Sequence, residues 1–232
     1  MSITWNGVSS DAYHVIVERI PNRYMPARRI SPQKVAGRNG DILLIDKSFP
    51  NVEQEYEVYL SAESLGLPSV ARNVADWIMG PVGYATLRDS YDTSTFRTAY
   101  LSSGFEIENS LNKFGRCKIS FSCKPQRFLD SGDSFVGVYT PSGSITNPTQ
   151  FDAQPVLRMT TTGSSVVTVN GKAIYILEAV SNFDIDCETM EATDNSKIRC
   201  EEFPVLKYGA NAITCSNANV PYLLIKPRWW TL

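Results

Sequence analysis

The residues that could carry out chemistry are few, and the first of them is the single histidine, His14. A Ser-His-Asp or Cys-His site would have to use it, and the sequence has no G-x-S-x-G nucleophile elbow. His14 falls inside a predicted strand, Ala12–Ile20, where a histidine is usually a core or edge residue. Zinc sites built on paired histidines are excluded. The S-x-x-K match at Ser31 and Lys34 lies in turn sequence without its companion motifs. We therefore expect no enzymatic activity, no metal and no cofactor.

Two carboxylates alternate on a predicted strand near the middle of the second half. Asp184 and Asp186 are two positions apart, so they share one face of that strand. Such a pair is typical of a glycosidase half-site or of calcium ligands. The calcium loop pattern is missing, and no second group of carboxylates follows nearby in the sequence. The sequence therefore favours a structural use of both.

Aromatic residues near the C-terminus could offer a flat surface on which a sugar ring stacks, namely Tyr208, Tyr222, Trp229 and Trp230. Adjacent tryptophans on a strand point to opposite faces. At most one of the two would then be exposed, while the other would seal the core. A carbohydrate-binding module is the alternative function that this pattern supports.

Composition sets broad limits on the remaining possibilities. The 232 residues are 43% apolar and 20% charged, which is typical of a folded chain, and the net charge of -2 does not favour a polyanion binder. No signal peptide and no membrane-spanning run is recognisable. The five cysteines are odd in number and without C-x-x-C spacing, which predicts buried thiols made in a reducing compartment.

The segment around which the chain is organised runs from Lys34 to Asp46. Asn39-Gly40 is the dipeptide that best tolerates positive φ in a tight hairpin turn, and Gly37 adds a second permissive position. Ile42–Ile45 then follows as an apolar run without alternation. Such a run predicts a strand covered on both sides, by its own core and by something else, such as a neighbouring subunit.

A basic arm precedes this segment. Between Arg19 and Arg38 there are six cationic residues and no acidic one, and three prolines exclude a continuous helix. The arm could be a solvated loop, or it could contact an acidic surface on this subunit or another.

An acidic stripe follows it. Strand Val52–Ala62 alternates, with apolar residues on one face except for Gln54, and Glu53, Glu55 and Glu57 on the other. The glutamates could face water, meet the basic arm of a neighbour, or line a central channel where they would repel passing DNA.

The remaining pattern predicts a mainly β chain of two domains. One amphipathic helix is predicted at Ser69–Gly80, with Ser69 as N-cap and Trp77 as a core anchor. Strands follow to Cys123, and residues 130–150 are rich in glycine, serine and proline. We place the domains at 1–130 and 131–232. Short, regularly spaced strands with turns such as Asn170-Gly171 predict a second-domain sandwich.

Several of these segments resemble the distal tail proteins of siphophages. In the first half the resemblance lies in Gly37–Asp41 followed by Leu44–Asp46, and in the exit Pro125–Phe128. In the second half it lies in a set of short motifs, which are Asn147-Pro148-Thr149 with Pro155, Asp184-Ile185-Asp186, Phe203-Pro204, Gly209-x-Asn211 and Pro227–Trp230. The resemblance covers nearly the whole chain in two blocks and in the family's order.

The resemblance implies a structural virion protein with a β-sandwich-like N-terminal domain carrying one helix and a galectin-like or carbohydrate-module-like C-terminal jelly roll. It implies a hexameric ring at the tip of a long non-contractile tail, assembled in the host cytoplasm, with an open channel for DNA. The implied partners are the tail tube protein, the hub or spike protein and receptor-binding proteins, without specific nucleic-acid binding or membrane insertion. If the chain instead acts as a carbohydrate-binding module, its function in a phage would be recognition of the host surface.

The resemblance also implies which residues lie at or near the ring contact. They are Val35, Gly37, Arg38, Asn39, Gly40, Asp41, Ile42, Leu43, Leu44 and Ile45. Two departures from the family pattern are Ala36, where proline is frequent, and the lack of the long C-terminal insertions that hold receptor-binding proteins in some members.

Overall fold

The computed structural model describes residues 1–62, 66–110, 112–138, 141–216, 220 and 222–232, with backbone alone at Ser110, Ser216 and Tyr222. The chain forms two compact units, Met1–Arg127 together with Leu232, and Phe128–Thr231. The boundary predicted from the sequence followed residue 130. The prediction of a mainly β chain with one α-helix is confirmed. No helix in the described part is long and apolar enough to cross a membrane.

Among its described residues, the first unit contains ten strands, counting the one that runs on into the second unit, and one α-helix. They are β1 (Ile3–Trp5), β2 (Val8–Ser9), β3 (Val15–Val17), β4 (Ile30–Gln33), β5 (Ile42–Ile45), β6 (Val52–Ser61), α1 (Leu67–Met79), β7 (Ala85–Asp89), β8 (Asp92–Leu101), β9 (Glu108–Ser110) and β10 (Phe114–Leu129).

Most of these strands form one curled sheet in the order β2-β1-β7-β8-β10-β6-β3, with β9 also paired to β10. The helix α1 covers the core of this sheet, and two tryptophans fix it there. Trp5 donates through Nε1 to the carbonyl of Ile78 at 3.2 Å, and Trp77 donates to the carbonyl of Trp5 at 3.4 Å. Trp77 is therefore the core anchor that the sequence predicted, since only 6% of it is exposed.

The helix begins earlier than predicted. It starts at Leu67 after Gly66, which has φ +76°, and Pro68 occupies the first turn. Proline at this position has no N–H to leave unsatisfied and a φ already suited to a helix. Ser69 therefore lies inside the helix, and its assignment as N-cap was wrong.

Strands β4 and β5 form a separate two-stranded antiparallel sheet. Every one of their eight residues is exposed. We call this element, together with the residues at its base from Arg28 to Lys47, the hairpin arm.

In the part of the second unit that the structure describes, there are eleven short strands. They are β11 (Val136–Gly137), β12 (Ser142–Asn147), β13 (Val156–Thr161), β14 (Ser165–Val169), β15 (Lys172–Ile176), β16 (Val180–Asp186), β17 (Glu191–Ala192), β18 (Ile198–Cys200), β19 (Gly209–Ser216), β20 (Tyr222–Lys226) and β21 (Trp230–Thr231).

Ten of these strands form two five-stranded sheets, in the orders β11-β20-β13-β16-β17 and β12-β19-β14-β15-β18. Alternate residues from both sheets fill one apolar core that includes Leu157, Val167 and Ile174, each fully buried. This is the sandwich that the regular strand spacing predicted. Strand β12 was not predicted, because its glycine and serines are typical of a linker.

Candidate functional site

The hairpin arm has one face made only of apolar side chains. Ile30 lies opposite Ile45 and Pro32 opposite Leu43, so these four share a face. Ser31, Gln33, Ile42 and Leu44 make up the other. Ile30 and Pro32 were missed by the sequence analysis, since the prolines of the basic arm were interpreted as marking a loop.

The sequence predicted that the core of its own subunit covers one side of the strand Ile42–Ile45. This prediction was wrong. Ile42 is 38% exposed and Leu43, Leu44 and Ile45 are 54%, 56% and 58% exposed. The reason is that, among the described strands, β5 pairs with β4 alone and has no neighbour in the main sheet that would bring it onto a core. Fully burying such a side chain stabilises a protein by about 1.5–3 kcal/mol. The arm would therefore gain stability if another surface covered it.

The turn of the arm is longer than the predicted two-residue turn at Asn39-Gly40. Gln33 pairs with Ile42, so the connection is the whole loop Lys34–Asp41. Gly37 and Gly40 have φ of +77° and +80°, whereas Asn39 does not have positive φ. The predicted contact residues from Val35 to Asp41 therefore form an exposed loop at the tip.

The base of the arm is held by the chain on either side of it. The N–H of Arg29 donates to the carbonyl of Ser48 at 3.1 Å, and the N–H of Asp46 donates to the carbonyl of Arg29 at 3.1 Å. The guanidinium of Arg28 donates to the carbonyl of Lys47 at 2.9 Å and lies 4.6 Å from the ring centre of Phe49. The arm is thus fixed at its base, while both strand faces are open.

Three cations of the arm, Arg29, Lys34 and Arg38, are exposed. Within the described part of the chain, their side chains make no ion pair or hydrogen bond. They remain available to an acidic partner.

The acidic stripe of β6 lies where the alternation placed it. Glu53 and Glu55 are exposed and Glu57 is half-buried. Two of the three glutamates have cationic partners in their own chain, since Glu55 pairs with Lys118 at 2.6 Å and Glu57 with Arg19 at 2.6 Å. Part of the basic arm therefore contacts the acidic stripe of the same subunit.

Gln54, the exception in the apolar face of β6, is explained by a buried arginine. Gln54 is 3% exposed and accepts a hydrogen bond of 3.1 Å from Arg97, which is 4% exposed. Nearby, Tyr56 donates to Asp89 at 2.5 Å. Burial raises the pKa of Asp89, although hydrogen bonds from Tyr56 and Tyr91 and the charge of Arg97 oppose the increase. This buried polar cluster lies on the face of β6 opposite to the three glutamates.

Further glutamates extend the acidic stripe across the same sheet. A cleft of about 510 Å³ is lined by carboxylates that include Glu18, Glu57, Glu106 and Glu108. Arg116 pairs with Glu18 at 2.9 Å. Glu106 and Glu108 were missed by the sequence analysis, because their charges become neighbours of Glu57 only once β9 pairs with β10.

The two aspartates of β16 each bind an arginine. Arg158 contacts Asp184 through two hydrogen bonds of 2.7 and 2.6 Å, and Arg228 contacts Asp186 through two of 2.7 Å. Burial opposes ionisation of Asp186, but the bonds from Arg228 more than offset it and hold its pKa below the usual value. Both carboxylates are therefore engaged in ion pairs, Asp184 with the neighbouring strand β13 and Asp186 with the segment between β20 and β21.

The prediction that His14 lies in a strand was wrong. His14 caps the C-terminal end of a short 3-10 helix with φ +58°, and it is exposed. Among the described residues, no three histidine, cysteine, aspartate or glutamate side chains form a group that could hold a metal ion. Burial raises the pKa of the Cys117 and Cys187 thiols to about 12 and that of Cys123 to about 11, so these cysteines are protonated at neutral pH.

The four C-terminal aromatic residues do not form one surface. Trp229 is 5% exposed and packs in the core, where its backbone lies so close to Gly132 that a Cβ there would come within 2.4 Å. Trp230 stacks on Phe151, with 4.3 Å between the centres of the two rings. Tyr208 is 60% exposed, and the Tyr222 side chain lies outside the described part. The inclusion of Trp229 in a sugar-binding surface was therefore wrong.

Two asparagines from the C-terminal motifs hold the sandwich together. Asn211 is fully buried; it accepts from the N–H of Lys207 at 2.7 Å and from Asn170 at 2.6 Å. It also donates to three carbonyls. Asn147, also fully buried, donates to two carbonyls and accepts from Thr149. These motif residues have a structural role.

No protein family and no curated protein sequence matches this chain. Its fold is similar to that of the Dit protein of phage SPP1, with a TM-score of 0.73 and 12% sequence identity, over 97% of this chain and 96% of that one. The solved SPP1 protein is described as a paradigm of the hub adsorption apparatus in phages that infect Gram-positive bacteria. At this identity the likeness shows that the two chains share a fold through both units.

Proposed function

We propose that this chain is a structural protein of a phage adsorption apparatus, a distal tail protein that forms a hexameric ring at the tip of a long non-contractile tail. The ring joins the tail tube protein on one side to the hub or spike protein on the other and leaves a channel for DNA. The observation that carries the proposal is the exposed hairpin arm in a chain whose fold is similar to that of the Dit protein over 97% of its length.

The arm supports a role in assembly because an isolated two-stranded hairpin is only marginally stable in water. Its apolar face gains stability when another surface covers it. Exposed apolar patches rimmed by polar residues are typical of protein–protein contacts. The exposed cations Arg29, Lys34 and Arg38 adjoin the two strands along the chain.

The proposal is for a structural role without catalysis. His14 is exposed on a 3-10 helix, and the paired aspartates of β16 are occupied by arginines. Of the residues considered for sugar stacking, Trp229 is buried and one face of Trp230 is covered by Phe151. These contacts favour the structural role over the saccharide-binding alternative.

Negative-stain electron microscopy of the purified chain tests the proposal. We expect closed rings with a central opening and six-fold class averages. Rings should also bind purified tail tube protein in a pull-down assay. Single particles of monomer size, with no binding to tail tube protein, would contradict the proposal.

A charge exchange within the arm tests whether its tip belongs to the contact. Arg38→Glu combined with Asp41→Lys keeps the net charge of the arm and should leave both units folded, because both residues are exposed. We expect fewer closed rings at a given concentration, because the exchange reverses the charge at two points of the contact. If the variant forms as many rings as the parent chain, these residues lie outside the contact.

A further inference from the structure

We propose that the hairpin arm of one copy docks on the acidic face of the next copy, so that one heterologous contact builds the assembly. The acidic face is the outer surface of the main sheet defined by Glu18, Glu53, Glu55, Glu57, Glu106 and Glu108. This inference rests on the proposed ring and specifies the two surfaces that form the contact between neighbouring copies. The partner of the hairpin arm is thus a second copy of this chain.

Charge is the first argument for this partner. The acidic face carries six carboxylates against three cations, which are Arg19, Arg116 and Lys118. The segment from Arg28 to Lys47 carries five cations against two aspartates. The two surfaces thus have net charges of -3 and +3. Complementary charge steers association and fixes register between partners.

The groups that would meet are still available. Glu53, Glu106 and Glu108 make no side-chain ion pair or hydrogen bond among the described residues, and all three are exposed. The same holds for Arg29 and Arg38. The hairpin arm contributes no residue to the two clefts of the acidic face, so the chain does not satisfy these charges on itself.

Apolar surface is the second argument. A cleft of about 520 Å³ beside Glu53 and Glu55 is also lined by Ile20 and Tyr24, which are 56% and 62% exposed. The acidic face therefore offers apolar side chains next to its carboxylates. The arm presents the same combination, an apolar face beside three cations.

The geometry of such a contact suits a closed assembly. The arm and the acidic face are different surfaces, so each copy can donate an arm to one neighbour and receive an arm from another. A heterologous contact of this kind repeats and closes into a ring when its rotation permits.

Two complementary charge reversals test the inference. In the first variant, Arg29→Glu and Arg38→Glu make the arm acidic. In the second, Glu106→Lys and Glu108→Lys make the acidic face basic. Each variant alone places like charges together, and we expect the dissociation constant of the assembly to rise by about 100-fold or more.

An equimolar mixture of the two variants is the decisive measurement. The acidic arm of one now meets the basic face of the other, and the native arm meets the native face. We expect native mass spectrometry to show assemblies in which the two variants alternate, three copies of each in a six-membered ring.

Matched controls change the same number of charges on exposed residues of the second unit. These are Arg199→Glu with Lys207→Glu, and Glu191→Lys with Glu201→Lys. Both controls should assemble as the parent chain does. If they also fail to assemble, net charge controls association and the specific contact is contradicted.

The outcomes separate this inference from the proposed ring. If the parent forms rings but the mixture does not regain them, the ring stands and this pairing of surfaces is wrong. If the second variant alone assembles normally, the acidic face points to solvent or to the channel, and the inference is also wrong. If the parent chain itself stays monomeric, both the ring and the pairing fail.

Discussion

Among the hairpins of this chain that contain an Asn-Gly dipeptide, those at Asn170-Gly171 and Asn39-Gly40 have opposite surroundings. In the second unit, Asn170 and Gly171 have φ of +51° and +80° and close a two-residue turn between β14 and β15. In the first unit, Asn39-Gly40 is part of the longer loop of the hairpin arm. Strands β14 and β15 bury alternate side chains in a sandwich, whereas all residues of β4 and β5 are exposed.

The difference shows what a local pattern can decide. Asn-Gly marks a reversal of the chain in both places. What covers the strands depends on partners distant in sequence. Strand β14 also pairs with β19, whereas β5 pairs with β4 alone among the strands that the structure describes. The second hairpin therefore stabilises its own unit, and we propose that the first stabilises contacts between copies.

The sharpest test of this comparison is the same substitution in both hairpins. Ile174→Ala removes a fully buried side chain and should lower the free energy of unfolding by about 2–5 kcal/mol. Ile45→Ala removes a side chain that is 58% exposed and should change it by about 0.5 kcal/mol or less in the monomer. Urea denaturation checks both. Equal losses at the two sites would contradict the distinction.

Two asparagines provide the next largest contrast. Asn211→Ala leaves several buried backbone groups without a partner, and we expect a loss of about 3 kcal/mol. Asn39→Ala changes an exposed loop residue and should leave thermal stability nearly unchanged. Thermal unfolding followed by circular dichroism measures both. A similar decrease in Tm for Asn39→Ala would show that the arm packs on its own unit.

Two glycines with the same backbone conformation give a smaller effect. Gly171 and Gly40 both have φ +80° and no atom within 4 Å of an added Cβ, so alanine meets backbone strain alone, worth about 1–2 kcal/mol. Gly171→Ala should lower the unfolding free energy of the second unit by that amount. At Gly40 the same strain falls on the exposed hairpin arm, which adds little to the core of its unit, so Gly40→Ala should leave unfolding almost unchanged and weaken assembly. Chemical denaturation and light scattering on the same samples separate the two effects.

The smallest expected effect concerns pH. Because the pKa of Asp186 is lowered in the folded chain, its pair with Arg228 stabilises the second unit above the unfolded value of about 3.9. That contribution is lost as the pH falls through the lower folded pKa. Asp186→Asn should therefore lower Tm at pH 7, and the difference from the parent should shrink as the pH decreases towards 3. A difference that stays constant with pH would show that ionisation of Asp186 does not contribute.

The sequence predicted much of the fold because its signals were local. The alternation in β6 placed Glu53, Glu55 and Glu57 outward, and the apolar spacing of the helix placed Trp77 in the core. The pairing of β4 with β5 was missed because Pro32 is typical of a break. Proline is tolerated on the edge of a two-stranded sheet, where no inner partner needs its N–H.

The rest of the candidate site depends on contacts between distant residues. Glu106 and Glu108 join the acidic face through the pairing of β9 with β10, and Gln54 is accommodated only because Arg97 lies beneath it. The exposure of Ile42–Ile45 follows from the lack of any further strand beside them in the described structure. An apolar run has the same composition whether the strand is buried in its own core or is covered by another subunit.

The most direct test of the central claim is the solution mass of the parent chain and of Leu43→Ser with Ile45→Ser, measured by light scattering at two protein concentrations. The account predicts about six times the chain mass of 25.8 kDa for the parent and 25.8 kDa for the variant. The control Leu177→Ser with Met190→Ser, which changes exposed apolar residues of the second unit, should behave as the parent does. A hairpin variant that keeps the full mass of the parent would contradict the account.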